Sequence, residues 1–403
     1  MSYQKPRLFY YRTAQIAGKL VSKLIFRCQT LRNEIKDAKG PFVVIANHQS
    51  MLDFVNLIGA TRRPMSFVIS KSFFRSLPLT GFMEKMGVIP KQQFQTAPHD
   101  LKQMKAVIGA GEPVVIYPAG LMCEDGLSTP IPSATYKFLK WLGADVYAAR
   151  TQGSYFVSPK WTSGFRPGRT TMDIYKLFDK YELATLPVEA VAQRTDEALL
   201  FDAYAEQELL QARYKKGENI EGLEQVLYLC PHCKKEFTMT VKDRSTITCQ
   251  NCGYTEQADS LGFLHKIGHI GTEIRHVSDW SRYIREDIAT RIANGHLLSL
   301  SAPTEIRMIL PGKHAFTAVG EGTVSIAEDG LRLCGKAQGQ PIEVALAASQ
   351  IPSLPFSPGK HIEIQDGDTI YRCVLKNGRL VMKLIHMLQT FHQNAIKEKE
   401  LSI

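Results

Sequence analysis

Residues 42–53 read FVVIANHQSMLD. Their first five residues form an uninterrupted apolar run, which is typical of a buried strand in a layered α/β domain. Ser50 and Asp53 have the S-x-x-D spacing of a helix start. The stretch therefore predicts a strand, a turn that holds His48, and then a helix.

Short apolar runs alternate with helical patterns on both sides of this stretch. Strands are predicted at residues 42–46, 65–69, 88–90, 114–117, 145–151 and 170–175, and helices at residues 52–60, 72–86 (with a break near Pro78), 101–109 and 133–142. Short strands that alternate with helices indicate an α/β layer architecture. We therefore expect residues 37–185 to form a mixed sheet flanked by helices.

His48 and Asp53 are the candidate catalytic pair. If His48 lies in the turn before the helix, the Asp53 carboxylate can hold one imidazole nitrogen, and the other nitrogen can take a proton from a hydroxyl group. The alternative is that Asp53 only caps the helix and His48 is an ordinary turn residue. For an isolated H-x4-D pattern that alternative would be preferred.

The pattern is not isolated, because four blocks resemble those of the glycerolipid acyltransferases, the family of 1-acylglycerol-3-phosphate O-acyltransferases. They occur in the family's order between residues 36 and 176. The blocks are NH-x-S-x-x-D at residues 47–53, then Lys71, Pro78, Gly81 and residues 87–89, then VIYPAG at residues 115–120, and finally residues 148–154 followed by residues 159–161.

The resemblance implies transfer of an acyl group from an acyl-thioester, either acyl-CoA or an acylated acyl carrier protein, directly to a hydroxyl group. His48 would be the general base and Asp53 would orient it. Lys71, Lys91 and Gly120 are the residues expected to bind the acceptor or donor. The N–H of Gly120 is our candidate donor to the charge that develops on the thioester carbonyl.

Three positions depart from the family pattern. Ala119 and Met122 stand where the family's third block has a Glu and an Arg that bind the acceptor's glycerol phosphate, and Gln93 stands where the second block ends in an Arg. A site without these arginines lacks bidentate, charge-assisted phosphate contacts. We expect an acceptor with a larger headgroup, a glycolipid hydroxyl, or a phosphate held from elsewhere. The alternative is a catalytically altered relative that binds lipid or a partner.

Eight cysteines are present, and four of them form two C-x2-C pairs: Cys230, Cys233, Cys249 and Cys252. This spacing predicts a tetrahedral structural zinc site in a ribbon at residues 226–258. A ribbon can also organise a nucleic-acid or protein adaptor. Nucleic-acid binding is disfavoured, because the ribbon's basic residues are few and no aromatic side chains interleave with them.

The net charge of +10 favours an anionic partner, and seven Lys or Arg residues precede the first acidic residue, Glu34. Residues 1–36 predict a basic amphipathic helix that either lies on an anionic bilayer or packs on the domain behind it. No apolar stretch has the roughly 20 residues of a spanning helix. We expect a cytoplasmic protein that is peripheral at the inner face of the cell membrane.

The remaining segments are predicted from their pattern of apolar and polar residues. Residues 186–225 indicate a helical connector, residues 259–300 a helical linker, and residues 301–403 a β-rich domain that ends in a helix. Several strands followed by one helix resemble a pleckstrin-homology-like domain, on element order alone.

Overall fold

The computed structural model describes residues 5–94 and 97–401. The chain divides into two units, one of Met1–Gly217 with Ser260–Gly262 and the other of Glu218–Asp259 with Phe263–Ile403. Each unit is built around its own sheets, so each is described separately.

The first unit contains a seven-stranded sheet. Its strands are β1 (Cys28–Asn33), β2 (Phe42–Ala46), β3 (Ser66–Ser70), β4 (Ile89–Lys91), β5 (Val114–Ile116), β6 (Asp145–Gln152) and β7 (Thr170–Phe178). Its helices are α1 (Leu8–Val21), α2 (Asp53–Leu57), α3 (Lys71–Ser76), α4 (Thr80–Lys85), α5 (Pro98–Gly109), α6 (Ala134–Leu142), α7 (Ser154–Val157), α8 (Lys180–Thr185), α9 (Val188–Leu199) and α10 (Ala203–Leu210). A π-helical turn, Ser22–Phe26, follows α1.

The strands are ordered β1-β7-β6-β2-β5-β3-β4. From β6 to β4 all neighbours are parallel, whereas β7 runs antiparallel to β6. The predicted mixed sheet with flanking helices is confirmed, and the predicted helix at residues 72–86 divides into α3 and α4 around Pro78. One boundary was wrong. Residues 1–4 lie outside the described residues, and the described part of segment 1–36 is not one separate helix, because it includes β1, which pairs with β7 inside the sheet.

The central strands are covered on both faces, which explains their continuous apolar sequence. Successive side chains of a strand point to opposite faces. Val43 and Ile45 accordingly pack into one apolar core, and Phe42 and Val44 pack into the other. All four are at most 1% exposed. The turn after β2 therefore starts from a strand whose position is fixed from both sides.

Helix α1 packs on α2 and still presents apolar side chains to solvent. Gly18 allows this approach, because a Cβ there would lie 2.6 Å from Cγ2 of Ile58. Ile16, Leu20 and Leu24 are between 56% and 70% exposed. The packing on α2 agrees with the second reading of this helix, and contact of its exposed apolar side chains with a bilayer stays a prediction. Among the described residues, no helix has the length and apolar character that crossing a membrane requires.

The predicted helical connector, residues 186–225, is helical only in part. Helix α10 ends where Gln211 adopts a left-handed conformation with φ 46°. Tyr214 then pairs with Gly168 in an isolated β-bridge. The division between the units falls after Gly217 instead of after residue 225.

The second unit opens with a four-stranded antiparallel sheet of order β11-β10-β9-β8. The strands are β8 (Met239–Lys242), β9 (Thr246–Cys249), β10 (Thr255–Ala258) and β11 (Leu264–Ile267), and helix α11 (Val277–Ala293) follows. The predicted linker at residues 259–300 was therefore wrong at its start. Residues 264–267 add a strand to β10, since Leu264 and Ala258 are paired in register.

The rest of the second unit is a seven-stranded antiparallel sheet of order β15-β14-β13-β12-β18-β17-β16, followed by one long helix. Its elements are β12 (Ser299–Ile309), β13 (Phe316–Ala327), β14 (Gly330–Ala337), β15 (Gln340–Ala347), β16 (Phe356–Ser357), β17 (His361–Asp366), β18 (Thr369–Leu375) and α12 (Leu380–Leu401). The apolar residues Val381 to Leu388 on α12 are buried, which makes this helix part of the unit's core.

Candidate active site

The sequence blocks meet at one edge of the first unit's sheet. The carboxyl ends of parallel strands lie at the same edge, and this edge is where open α/β sheets bind ligands. His48 follows β2, Gly120 follows β5, Lys71 follows β3 and Lys91 ends β4. Because β2, β5, β3 and β4 are adjacent and parallel, all four residues lie at this edge.

His48 and Asp53 are in hydrogen-bonding contact. The distance from Nδ1 of His48 to Oδ2 of Asp53 is 3.1 Å. The same oxygen accepts the backbone N–H groups of Gln49 at 2.7 Å and of Ser50 at 2.9 Å. Asp53 is only 2% exposed, and a buried carboxylate requires such partners. The carboxylate is thereby fixed, and with it the orientation of the imidazole.

The capping box that the S-x-x-D spacing of Ser50 and Asp53 predicts forms only in part. The Asp53 carboxylate reaches back to the N–H of Ser50, as the box requires. The Ser50 hydroxyl, however, accepts the N–H of Leu52 at 3.4 Å instead of capping the first turn of α2. Asp53 itself, more than Ser50, shapes the turn that contains His48.

Tyr117 lies against the imidazole, with ring centroids 4.5 Å apart and an angle of 34° between the planes. Burial, with a contribution from the Asp53 charge, raises the pKa of the Tyr117 hydroxyl well above its usual range. The N–H of Cys123 donates to the carbonyl oxygen of His48 at 3.1 Å. Tyr117 and Cys123, both in the segment that follows β5, therefore hold the ring and the backbone of His48.

Two further side chains flank His48 in sequence and fix its turn. Asn47 Nδ2 donates to the carbonyl of Thr151, and its Oδ1 accepts the N–H of Thr151, both at 2.8 Å. This pair joins the end of β2 to the end of β6. Sequence reasoning missed it, because the two residues are 104 positions apart.

Gln49 extends the network on the other side of His48. Its Oε1 accepts the N–H of Tyr155 at 3.2 Å, and its Nε2 lies 3.4 Å from the Glu206 carboxylate. Arg150 donates to Glu206 at 2.7 Å. Burial raises the pKa of Glu206 although Arg150 opposes this effect. Gln49 is 0% exposed, so it acts as a structural support for the turn.

The role predicted for the Gly120 N–H is not supported by its hydrogen bonding. That N–H donates to the carbonyl of Tyr117 at 3.0 Å and closes a tight turn. Gly120 has φ +73°, a conformation that favours glycine. Gln93 donates from Nε2 to the Gly120 carbonyl oxygen. Gln93 thus helps to hold the turn that follows β5.

Three lysines lie near these blocks. Lys91 Nζ donates to the Gln92 carbonyl at 2.9 Å, and burial lowers its pKa. Lys71 is the first residue of α3. Lys160 Nζ lies 3.4 Å from the carbonyl oxygen of Met122, and burial lowers its pKa to about 8. The sequence assigns no role to Lys160, which belongs to the fourth block, because its contact with Met122 joins residues that are distant in sequence.

The four paired cysteines of the second unit converge. Their sulfur atoms all lie within 4.8 Å of one another. Cys230 and Cys252 are 3.7 Å apart, as are Cys233 and Cys249. A tetrahedral zinc ion with Zn–S bonds of about 2.3 Å requires S···S separations of about 3.8 Å. The arrangement therefore fits a four-thiolate metal ion, as the C-x2-C spacing predicted.

One comparison with known proteins concerns the part of the chain that carries the His–Asp pair. Residues 27–150 match the family model named Acyltransferase. The matched part of the chain contains His48 and Asp53, and it overlaps the segment whose sequence blocks resemble those of the acyltransferases.

Individual relatives are more distant. A 1-acyl-sn-glycerol-3-phosphate acyltransferase of Chlamydomonas reinhardtii is 24% identical over 172 residues, which are 42% of this chain and 51% of that protein. The chain thus spans about half the length of this curated relative. Two solved structures are similar over part of the chain. They are the 1-acyl-sn-glycerophosphate (LPA) acyltransferase PlsC of Thermotoga maritima (TM-score 0.42, 18% identity, 50% of this chain and 79% of that chain) and the Ran binding domain of Nup2 of Ashbya gossypii (TM-score 0.19, 14% identity, 23% and 94%). At these scores neither similarity supports a conclusion about fold or function.

Proposed function

We propose that this protein is an acyl-thioester-dependent O-acyltransferase that acylates a hydroxyl group of a lysophospholipid or a related lipid at a membrane surface. The observation that carries the proposal is the 3.1 Å contact between His48 Nδ1 and a buried Asp53 carboxylate at the ligand-binding edge of the sheet. The match of residues 27–150 to the Acyltransferase family supports the same reaction class.

In the proposed reaction His48 is the general base. Its Nδ1 is held by Asp53, which leaves Nε2 to take the proton of the acceptor hydroxyl. The hydroxyl oxygen attacks the thioester carbonyl, the C–S bond breaks, and the thiolate leaves with the proton returned by the imidazolium. No acyl-enzyme forms. The side chain of His48 is 21% exposed, so a substrate can reach it.

The acceptor is proposed to differ from plain lysophosphatidic acid. Met122 and Ala119 supply no charge at the positions where the family binds glycerol phosphate, and Gln93 holds the Gly120 turn instead of reaching for an anion. Lys71 and Lys91 are our candidates to bind an acidic group of the acceptor or donor. A lysophospholipid with a larger headgroup, or a glycolipid hydroxyl, suits this charge distribution.

The second unit is proposed to hold one structural zinc ion through Cys230, Cys233, Cys249 and Cys252. Four thiolates leave no open coordination position, so the ion would stabilise the fold without taking part in catalysis. The sheet of β12 to β18 with the closing helix α12 has the element order of a pleckstrin-homology-like domain, and we propose that relationship for it. We propose acyl carrier protein as a donor partner and the cytoplasmic face of the membrane as the location.

In the test, the wild-type protein is incubated with a panel of lysolipids and with an acyl donor. The donor is either acyl-CoA or acyl carrier protein, each with a labelled acyl group. The panel contains lysophosphatidic acid, lysophospholipids with larger headgroups, and glycolipids. We expect transfer to at least one acceptor other than lysophosphatidic acid. If no donor and acceptor combination gives product, a catalytically altered lipid- or partner-binding protein, or a ribbon-based adaptor, becomes the better interpretation.

A further inference from the structure

A basic cavity of about 420 Å³ lies between α2 and the end of α1 with its π-helical turn. Lys19, Lys23 and Arg27 all line it, together with the polar side chains of Ser22 and Asn56. Within residues 5–94 and 97–401, no carboxylate lines the cavity. Neither His48 nor Asp53 lines it, so it is separate from the proposed catalytic pair.

Lys19, Lys23 and Arg27 line the same cavity, and no carboxylate among the described residues that line it balances their charge. Lys19 and Lys23 are four residues apart on one helical segment, where like charges repel each other, and Arg27 lines the same cavity directly after this segment ends. In the part of the chain that the structure describes, none of the three forms an ion pair with a carboxylate, and each side chain is exposed. An anion in the cavity would relieve this repulsion.

Asn56 gives an independent indication of a ligand. It is only 4% exposed, and its Oδ1 accepts the hydroxyl of Ser22 at 2.8 Å. Its Nδ2 is buried and, among the described residues, has no acceptor. A buried donor without an acceptor is costly, so such a group calls for an explanation. An oxyanion on the floor of the cavity would supply the missing acceptor.

The surroundings of the cavity indicate where the anion comes from. Ile16, Leu20 and Leu24 form the neighbouring row on the same helical segment, and all three are exposed. A row of exposed apolar side chains beside a row of cations is the arrangement that helices use at the surface of an anionic bilayer. The cations can contact a phosphate group, and the exposed apolar side chains beside them can contact acyl chains. This arrangement therefore favours a phosphate that is attached to a membrane lipid.

We propose that this cavity binds the phosphate group of an anionic membrane phospholipid. Lys19, Lys23 and Arg27 neutralise the phosphate, and Asn56 donates to one of its oxygens. Asn56 lies one turn after Asp53 on α2, so a bound lipid would hold the domain against the bilayer beside the proposed catalytic pair. The proposal does not require the chain to be catalytically active.

The test is co-sedimentation of the full chain with vesicles of phosphatidylcholine alone and of phosphatidylcholine with phosphatidylglycerol. Point variants are used because deletion of residues 1–32 would remove most of β1. The cavity variants are Lys23→Gln and Asn56→Leu, and the matched control is Arg7→Gln, an exposed cation at the start of α1 outside the cavity. Thermal unfolding checks that each variant is folded.

We expect wild type to bind only the anionic vesicles, and each cavity variant to bind them more than about tenfold more weakly, as expected for the loss of a hydrogen bond to a charged group. Arg7→Gln should lose about fivefold or less, the effect of one cation near an anionic surface. Equal losses in all three variants would mean diffuse charge attraction and would overturn the proposal. So would wild-type binding to neither vesicle, or saturable binding of inorganic phosphate without binding to vesicles, since a soluble phosphate would then be the ligand. Lys23 is exposed, so Lys23→Gln should fold, and this variant still tests the proposal if Asn56→Leu is unstable.

Discussion

Replacing Asp53 by Asn changes the charge of the proposed orienting group and almost nothing else. The Asp53 oxygen that faces His48 also accepts the N–H groups of Gln49 and Ser50. An amide oxygen can accept both, so the turn can persist. Asp53→Ala, in contrast, would leave two buried N–H groups without an acceptor, at a cost of about 1–3 kcal/mol each.

The size of the expected effect follows from the geometry. The N···O distance of 3.1 Å places the charge centres of an imidazolium and the carboxylate about 4 Å apart. At an effective dielectric constant of about 20 their attraction is about 4 kcal/mol. That attraction exists only when His48 is protonated, which happens as it takes the hydroxyl proton. Its loss should lower kcat about 10³-fold, because about 1.4 kcal/mol corresponds to a factor of ten.

The assay is steady-state acyl transfer with the best donor and acceptor of the panel, with thermal unfolding measured in parallel. The control is Asp179→Asn, which changes a half-buried carboxylate that caps α8 by accepting the N–H of Tyr181. Asp53→Asn should lose activity with KM little changed, and Asp179→Asn should retain it. A folded Asp53→Asn protein whose kcat remained within a factor of about ten of wild type would refute the orienting role.

Three other predictions concern stability and the metal. Elemental analysis should find one zinc per chain, and Cys249→Ser should lose it and lower the melting temperature; a stoichiometry near zero would remove the proposed ion. Gly18→Ala should destabilise the first unit by about 1–3 kcal/mol, because the new Cβ would lie 2.6 Å from Ile58 Cγ2. Gly109→Ala meets open space and should be tolerated. Equal melting temperatures of the two variants would contradict the packing of Gly18. Burial raises the pKa of Glu256 from 4.5 to about 7, so the folded state holds a proton that the unfolded state has released, and stability should fall as the pH rises from about 4.5 through 7. Glu256→Gln should remove that fall, which is on the order of 2–3 kcal/mol between pH 5 and pH 8. Denaturant unfolding at these two pH values measures it, and a variant with the wild-type pH dependence would exclude Glu256 as the cause.

Features of the site that depend on local sequence could be predicted. His48 and Asp53 are five residues apart, and the strand–turn–helix pattern around them brings their side chains together. The two C-x2-C pairs brought four thiols to one point for a similar reason, since each pair forms one short turn and only one long-range pairing is needed. Neighbouring parallel strands then placed the other blocks at the same edge.

Features that depend on distant parts of the chain could not be predicted. The contacts of Asn47 with Thr151 and of Gln49 with Glu206 join residues more than 100 positions apart. Residues 264–267 were expected to be helical, because their pairing with β10 is not visible in their own sequence. The Gly120 N–H was assigned from the family's block alone, and the turn that uses this N–H became apparent only from the backbone.

The most direct test of the central claim is the transfer rate of His48→Ala compared with His99→Ala. His99 also lies beside a carboxylate, with its Nδ1 3.5 Å from Asp100, but its side chain is 61% exposed. If the imidazole of His48 takes the acceptor's proton, His48→Ala should retain its fold and lose product formation by at least about 10²–10⁴-fold, while His99→Ala remains close to wild type. A folded His48→Ala protein that transferred the acyl group at the wild-type rate would contradict the proposed mechanism.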